Sequence, residues 1–219
     1  MNPLAAVAVL VALSLAGPAW AHPALPGIGG AYAAFTHAIT EPPAPLALLG
    51  LGLLVGINGA GSVRWACGSF FAATLGGLAA TLALDVDTNP ELPLVLVALT
   101  TGILTASGLP VPNAAVTVLG LLTGSLFGVF AAPEPAATAT IAYSSSGQLT
   151  VARDDLPWST LLWSSSGAVL GANLALVFVA SAVDSIRKHW PRLWLIVGMR
   201  VLASWVAAIA ALMAALWTR

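Results

Sequence analysis

The chain has 219 residues but carries only 7 Lys or Arg and 8 Asp or Glu residues. Hydrophobic residues make up 59% of it and charged residues 7%, whereas a soluble domain is about 25% charged. This composition excludes a soluble enzyme and a disordered tail, and a formal net charge of -1 excludes a nucleic-acid binder. The single cysteine, Cys67, excludes an intramolecular disulfide framework and a multi-cysteine metal cluster. An integral membrane protein remains.

The first 21 residues have the pattern of a secretory signal peptide. Residues 4–16 are apolar, Pro18 closes the run, and Ala19-Trp20-Ala21 is a small-x-small cleavage pattern. The basic residues that usually precede such a run are missing, so an uncleaved first span is the alternative. We expect cleavage after Ala21, which makes His22 the first residue of the mature chain.

The rest of the chain divides into an exterior segment and a membrane domain. Pro and Gly interrupt residues 22–43 too often for a regular span, although residues 31–40 can form a short helix that Pro42 and Pro43 stop. Six apolar blocks follow, at about 44–57, 63–84, 92–107, 114–132, 158–183 and 193–217. Because lipid cannot form hydrogen bonds with backbone N–H and C=O groups, each block should be a helix. We predict an all-α bundle of about six transmembrane helices over residues 44–219, with an exterior loop at about 133–157.

Charged residues in the loops predict the orientation of this bundle. With the mature N-terminus outside, the inside loops and helix ends hold five basic residues: Arg64, Arg187, Lys188, Arg192 and Arg200. The outside holds Arg153, Arg219 and six acids that we expect to be solvated: Asp85, Asp87, Glu91, Glu134, Asp154 and Asp155. This asymmetry satisfies the positive-inside rule. We therefore expect a multi-pass protein of the bacterial inner membrane, with a periplasmic N-terminus and the lipid bilayer as its surroundings.

Glycines recur at four-residue spacing within three of the blocks, which places them on one face of each helix. They are Gly52 and Gly56, then Gly120, Gly124 and Gly128, and finally Gly167 and Gly171. Small residues at this spacing let helix backbones approach closely in lipid. We expect a tightly packed bundle, with a substrate path as the alternative. Such faces can also form a homo-oligomer or pack against a partner in a membrane complex.

A few polar residues are candidates for a pathway or a metal site. Asn173 lies near the middle of the fifth block, where polar groups are costly and often functional, although a bond to the neighbouring backbone is the alternative. His37 and Glu41 are four residues apart, so a helix would place both on one face. An imidazole and a carboxylate can hold a transition metal loosely, but an ordinary hydrogen-bonded pair is the alternative. His22 offers an imidazole and a free α-amine for chelation.

Residues 35–53 follow the register of a stretch like F-x-H-P-L-x-G-x-D-H-x-L-A-M-x-A-V-G-L, and they keep Phe35, His37, Leu46, Ala47, Gly52 and Leu53. That stretch is the hallmark of the HupE/UreJ family of hydrogenase and urease accessory membrane proteins, proposed nickel permeases, which this chain resembles. Family members are also similar in their signal peptide, a His at the mature start and about six spans. The departures are large. The family's Asp-His pair falls on Pro43 and Ala44, and its later His-Gly-His stretch corresponds to Phe127-Gly128-Val129. A third family histidine, in the fifth span, has no His counterpart here.

The resemblance implies a permease or metal-supply protein for nickel or cobalt, carried as cargo rather than held as a cofactor. His37 would be the retained ligand, with Glu41 or His22 compensating for the lost pair. The alternative is a relative that has lost transport and serves as a structural or accessory subunit of a membrane complex. We expect no enzymatic activity, because the sequence shows no nucleophile–base pair, paired carboxylates or phosphate-binding loop.

Overall fold

The computed structural model describes residues 30–84, 89–132, 139–143, 149–153, 158–190 and 192–217. The predicted signal peptide and His22 lie outside these residues. Within them, the apolar blocks form helices and the 133–157 segment contributes two short strands. In chain order the elements are α1 (Gly30–Thr40), α2 (Pro43–Asn58), α3 (Ala60–Leu84), α4 (Glu91–Ser107), α5 (Asn113–Phe130), β1 (Ala139–Tyr143), β2 (Leu149–Arg153), α6 (Trp158–His189) and α7 (Leu193–Trp217).

Proline and glycine set the boundaries between the first helices. The predicted short helix before Pro42 and Pro43 is confirmed as α1, and Pro43 lies in the first turn of α2, where its missing N–H breaks no helical bond. α2 ends at Gly59, whose φ of 98° strongly favours glycine, and α3 begins at the next residue. α4 ends at Gly108 in the left-handed conformation, with φ of 65°.

The helix α2 occupies the centre of the bundle. It packs chiefly on α4 and α6, and it also contacts α1, α3, α5 and α7. Its residues Leu51 and Val55 are fully buried, as is Leu94 of α4. Around this centre, α3 pairs with α5, α4 with α7, and α1 with α6. The main hydrophobic cluster therefore forms where the other helices meet α2.

The all-α membrane bundle is confirmed, and among the described residues the number of helices long enough to span a membrane differs slightly from the predicted six. By length and composition, four of the described helices can cross a membrane: α3, α5, α7 and residues Leu161–His189 of α6. The count becomes five if α1 and α2 form one broken span, since Ala34–Thr40 and Pro43–Asn58 meet at 69°. α4 is apolar but has only 17 residues, because Gly108 ends it early. Predicted blocks of marginal length thus became short or broken helices.

Three of the connections between helices meet at one end of the bundle. The Asn58 side-chain Nδ2 donates to the carbonyl oxygen of Val111 over 2.6 Å, which joins the α2–α3 and α4–α5 turns. The Ser62 hydroxyl also donates to Asn113 Oδ1 over 2.6 Å. The last turn of α6, just before the α6–α7 connection, joins them through Arg187, which lies against Gly59. We call this end the basic end, because it holds Arg64, Arg187, Lys188, Arg192 and Arg200.

Two short strands lie within the segment that was predicted as an exterior loop at about 133–157. β1 and β2 are antiparallel, with Ala139 opposite Arg153 and Tyr143 opposite Leu149. Alternating residues in Ala-Thr-Ile-Ala-Tyr and Leu-Thr-Val-Ala-Arg suit strands, since β-branched and aromatic side chains favour the pleated backbone. Each strand has only five residues, which is too short to distinguish from a loop by composition alone.

Candidate functional site

The break between α1 and α2 is the first candidate site, because it contains the segment that resembles a metal-transport motif. His37 lies in the last turns of α1, and Glu41 lies at the break itself. The backbone carbonyl of Glu41 accepts a hydrogen bond from Ala44 N over 3.0 Å, which starts the next helix immediately. The structure does not describe the His37 side chain or His22. The predicted metal ligands His37, Glu41 and His22 therefore stay a prediction.

Contacts with α6 show where this break lies in the bundle. Gly171 of α6 lies against Phe35 of α1, and Val179 of α6 lies against Gly52 of α2. Residue numbers increase in the same direction on the two sides of this contact, as they would for one broken span running parallel to a continuous helix. The break at residues 41–42 therefore lies alongside residues 172–178. That stretch is near the middle of α6, which spans Trp158–His189.

Asn173 lies on α6 at this same level. Its side-chain Nδ2 donates to the carbonyl oxygen of Val169 over 2.8 Å, one turn earlier in the same helix, and the residue is half-buried. The bond to its own helix matches the local arrangement that the sequence analysis weighed against a pathway role. Its side-chain oxygen is the remaining acceptor of the amide. A pathway role for Asn173 stays a prediction.

The second candidate site is a group of charged side chains near the end of α6. No three His, Cys, Asp or Glu side chains come together there in a way that could hold a metal ion. The polar groups that do converge lie around Asp184, near the end of α6. Asp184 is 8% exposed, and its carboxylate pairs with Arg187 over 3.4 Å and with Lys188 over 2.5 Å.

The surroundings of Asp184 connect α6 to the turn between α2 and α3. The Arg187 guanidinium occupies the space that a Cβ at Gly59 would fill. Its side chain is 38% exposed and that of Lys188 is 48% exposed, so water screens both pairs. Arg187 Nε is buried without a hydrogen-bond partner among the described residues. The site therefore places two cations against one carboxylate at a helix junction.

Arg187 and Lys188 were predicted to be loop charges, and Asp184 was not among the predicted site residues. The signal that identifies it is spacing, because residues three and four apart on a helix are neighbours. Asp184 is the one acid among the basic residues around 184–192. A carboxylate with cations three and four residues later on a helix predicts an ion-paired group. Buried acids are usually paired in this way.

The predicted glycine faces lie at contacts between helices of this chain. Gly120, Gly124 and Gly128 of α5 face α3, where a Cβ at Gly128 would come within 2.5 Å of Leu78 N. Gly52 and Gly56 face α6, while Gly167 and Gly171 face α1. A Cβ at Gly56 would lie 2.7 Å from the Ala180 carbonyl oxygen. The predicted packing role is confirmed for the helices of this bundle.

The positions that carry metal ligands in the resembled family hold core residues in this structure. Pro43 and Ala44 are buried in the first turn of α2. Phe127 is 1% exposed, and its ring centroid lies 5.6 Å from that of Phe70. Ala44 and Phe127 belong to the same hydrophobic cluster. Apolar packing thus joins two positions that are 83 residues apart in the sequence.

No family model, curated protein or solved structure matches this chain. The resemblance to the HupE/UreJ family therefore stays a prediction. What the structure adds is the position of the resembling residues, at the break between α1 and α2 and within the core cluster.

Proposed function

We propose that this chain is a HupE/UreJ-like integral membrane protein that transports or supplies nickel or a related divalent cation. The observation that supports this function is the broken helix at residues 41–42, alongside the middle of α6. Broken helices in transporters bind substrate or coupling ions at such breaks, because the interrupted backbone exposes groups that a continuous helix uses internally. His37 precedes this break and Glu41 lies at it.

The proposed orientation follows from the basic end. Five cations cluster there, and Lys and Arg are enriched in the cytoplasmic loops of inner-membrane proteins. The basic end would then face the cytoplasm, and α1 would enter the membrane from the periplasm. A metal ion arriving from outside would meet α1 and the His37 segment before the core.

Nickel or cobalt uptake tests this function directly. A host that lacks its own transporters would express the wild-type protein, the His37→Ala variant, or a His189→Ala control at the basic end. Transport predicts accumulation above background for the wild type and the control, and a loss for His37→Ala. Immunoblotting of membranes must show equal insertion of all three. Background uptake by an inserted wild-type protein would refute the permease function.

That outcome would favour the second candidate, a non-transporting accessory subunit of a membrane complex. The observation in its favour is the apolar packing of Ala44 and Phe127 where the family has ligands. A core that excludes water at those positions offers a cation no oxygen or nitrogen ligand. Purification in mild detergent followed by mass spectrometry would then identify one stoichiometric membrane partner, and a chain that purifies without a partner would refute this candidate.

A further inference from the structure

A cleft of about 380 Å³ opens between α3 and α6 at the basic end. Arg64 lines it from α3, and five residues line it from α6: Ser181, Asp184, Ser185, Lys188 and His189. Lys188 pairs with the Asp184 carboxylate and Arg64 adds a second cation, so two cations and one acid line the cleft. Among the described residues, Arg64 forms no ion pair with a carboxylate. The cleft therefore carries a net positive charge and the two hydroxyls of Ser181 and Ser185, which together suit a phosphate group.

An apolar groove of about 630 Å³ adjoins this cleft between α3 and α5. Arg64 and Trp65 line one end of it, and Gly68, Ser69 and Thr117 continue it along α3 and α5. The Ser69 and Thr117 hydroxyls both donate to backbone carbonyls, to Ala66 and Asn113, over 2.9 Å. Their polar groups are thus satisfied within the chain. A Cβ at Gly68 would meet no atom within 4 Å, so the groove is open there.

Arg64 lines both the cleft and the groove, and it joins them into one surface. Its guanidinium carbon lies 5.3 Å from the centre of the Trp65 ring, which keeps the charge at the mouth of the groove. It is the fifth residue of α3, so the site lies near a helix end, at the depth expected for lipid headgroups. One occupant would need a negative head and a long apolar tail.

We propose that this surface binds one anionic phospholipid, with its phosphate between Arg64 and Lys188 and an acyl chain along Gly68. Basic pockets between transmembrane helices on the cytoplasmic side are known to hold anionic headgroups. A free phosphate would use the cleft but leave the groove empty. The proposal depends on this surface alone and holds whether or not the protein transports a metal.

Native mass spectrometry of the full chain in detergent can count the bound lipids. Titration with phosphatidylglycerol and with phosphatidylethanolamine of the same acyl chains compares an anionic headgroup with a zwitterionic one. We expect one phosphatidylglycerol per chain, bound about fivefold more weakly after Arg64→Gln, since each basic residue near an anionic surface contributes about 1 kcal/mol. Arg64→Lys should keep most of the affinity. Gly68→Leu should weaken lipid binding by filling the groove.

Two control variants separate this site from general effects. Arg200→Gln removes a cation from the basic end outside the cleft, and Gly76→Leu adds the same side chain to α3 at another open position. Both should bind phosphatidylglycerol like the wild type. Equal affinity for the two lipids, an equal loss in Arg200→Gln, or no effect of Gly68→Leu would overturn the proposal. Displacement of the lipid by millimolar inorganic phosphate would also overturn it, because it would show a site for free anions.

Discussion

Replacing Gly124 with alanine tests whether the glycine face of α5 holds it against α3. A Cβ at Gly124 would lie 2.9 Å from the Cα of Phe70 and 3.0 Å from the Cβ of Ala73, with the Phe70 carbonyl oxygen nearer still. Two of these three atoms belong to the backbone of α3, and they cannot rotate away as a flexible side chain would. The new methyl group must therefore push α5 outward along the contact.

Two opposing terms decide the size of the effect. Alanine stabilises a helix interior by about 0.5–1 kcal/mol relative to glycine. Overpacking a well-packed contact costs typically about 1–3 kcal/mol. Gly76→Ala in α3 should show only the helix-propensity gain, because a Cβ there would meet no atom within 4 Å. Subtracting the effect of Gly76→Ala removes the helix preference, so Gly124→Ala should be about 1–3 kcal/mol less stable than Gly76→Ala.

Unfolding by SDS in mixed micelles, followed by far-ultraviolet circular dichroism, measures this difference as a free energy. Both variants are assayed at one protein concentration and in the same starting detergent. Equal unfolding free energies for the two variants would refute the reasoning. That result would mean that α5 does not lie against α3 at Gly124, or that the contact yields without cost.

Three further changes can be measured by the same unfolding assay. Gly59→Ala should destabilise the protein by about 1–3 kcal/mol, since φ of 98° with ψ of -177° is a conformation essentially confined to glycine; an unchanged stability would mean that the α2–α3 turn differs. Asp184→Asn should cost about 1–2 kcal/mol, because it leaves Arg187 and Lys188 without their carboxylate while water still reaches both; a more stable variant would contradict the ion pairing. Thr74→Val should cost less than about 1 kcal/mol, because among the described residues the Thr74 hydroxyl bonds only the Phe70 carbonyl of its own helix; a larger loss would reveal a partner outside α3.

The sequence predicted the positions of the helices well because lipid leaves few options for an apolar block. Polar loops, prolines and glycines marked the ends of α3, α5 and α7 to within a few residues. The number of spans was less accurate, because block length alone cannot show a bend. Pro42 and Pro43 were correctly predicted to stop a helix, but whether the chain then turns back or continues depends on packing against α6.

For the candidate sites, too, local features were predictable from the sequence and contacts between distant residues were not. The glycine faces were predictable, because four-residue spacing is a local property of a helix and only the identity of the opposing helix needed the structure. Asp184 was missed because loop charges were counted for topology rather than examined for helical spacing. The joining of Ala44 and Phe127 in one cluster could not be predicted, since nothing local links residues of α2 and α5.

The basic end connects the topology of the chain with its packing. Arg187 from α6 lies against Gly59 at the end of α2, and Arg200 from α7 lies against Gly108 at the end of α4. The C-terminus of a helix carries a partial negative charge and carbonyl groups without helical partners, so a cation there is favourable. Both glycines lack the side chain that would keep the guanidinium away. A count of positive charges treats arginine and lysine alike, but the arginine guanidinium is planar and presents five N–H donors, whereas lysine carries one compact ammonium group. The same arginines that enter the prediction of orientation therefore also lie where a cation stabilises the ends of α2 and α4.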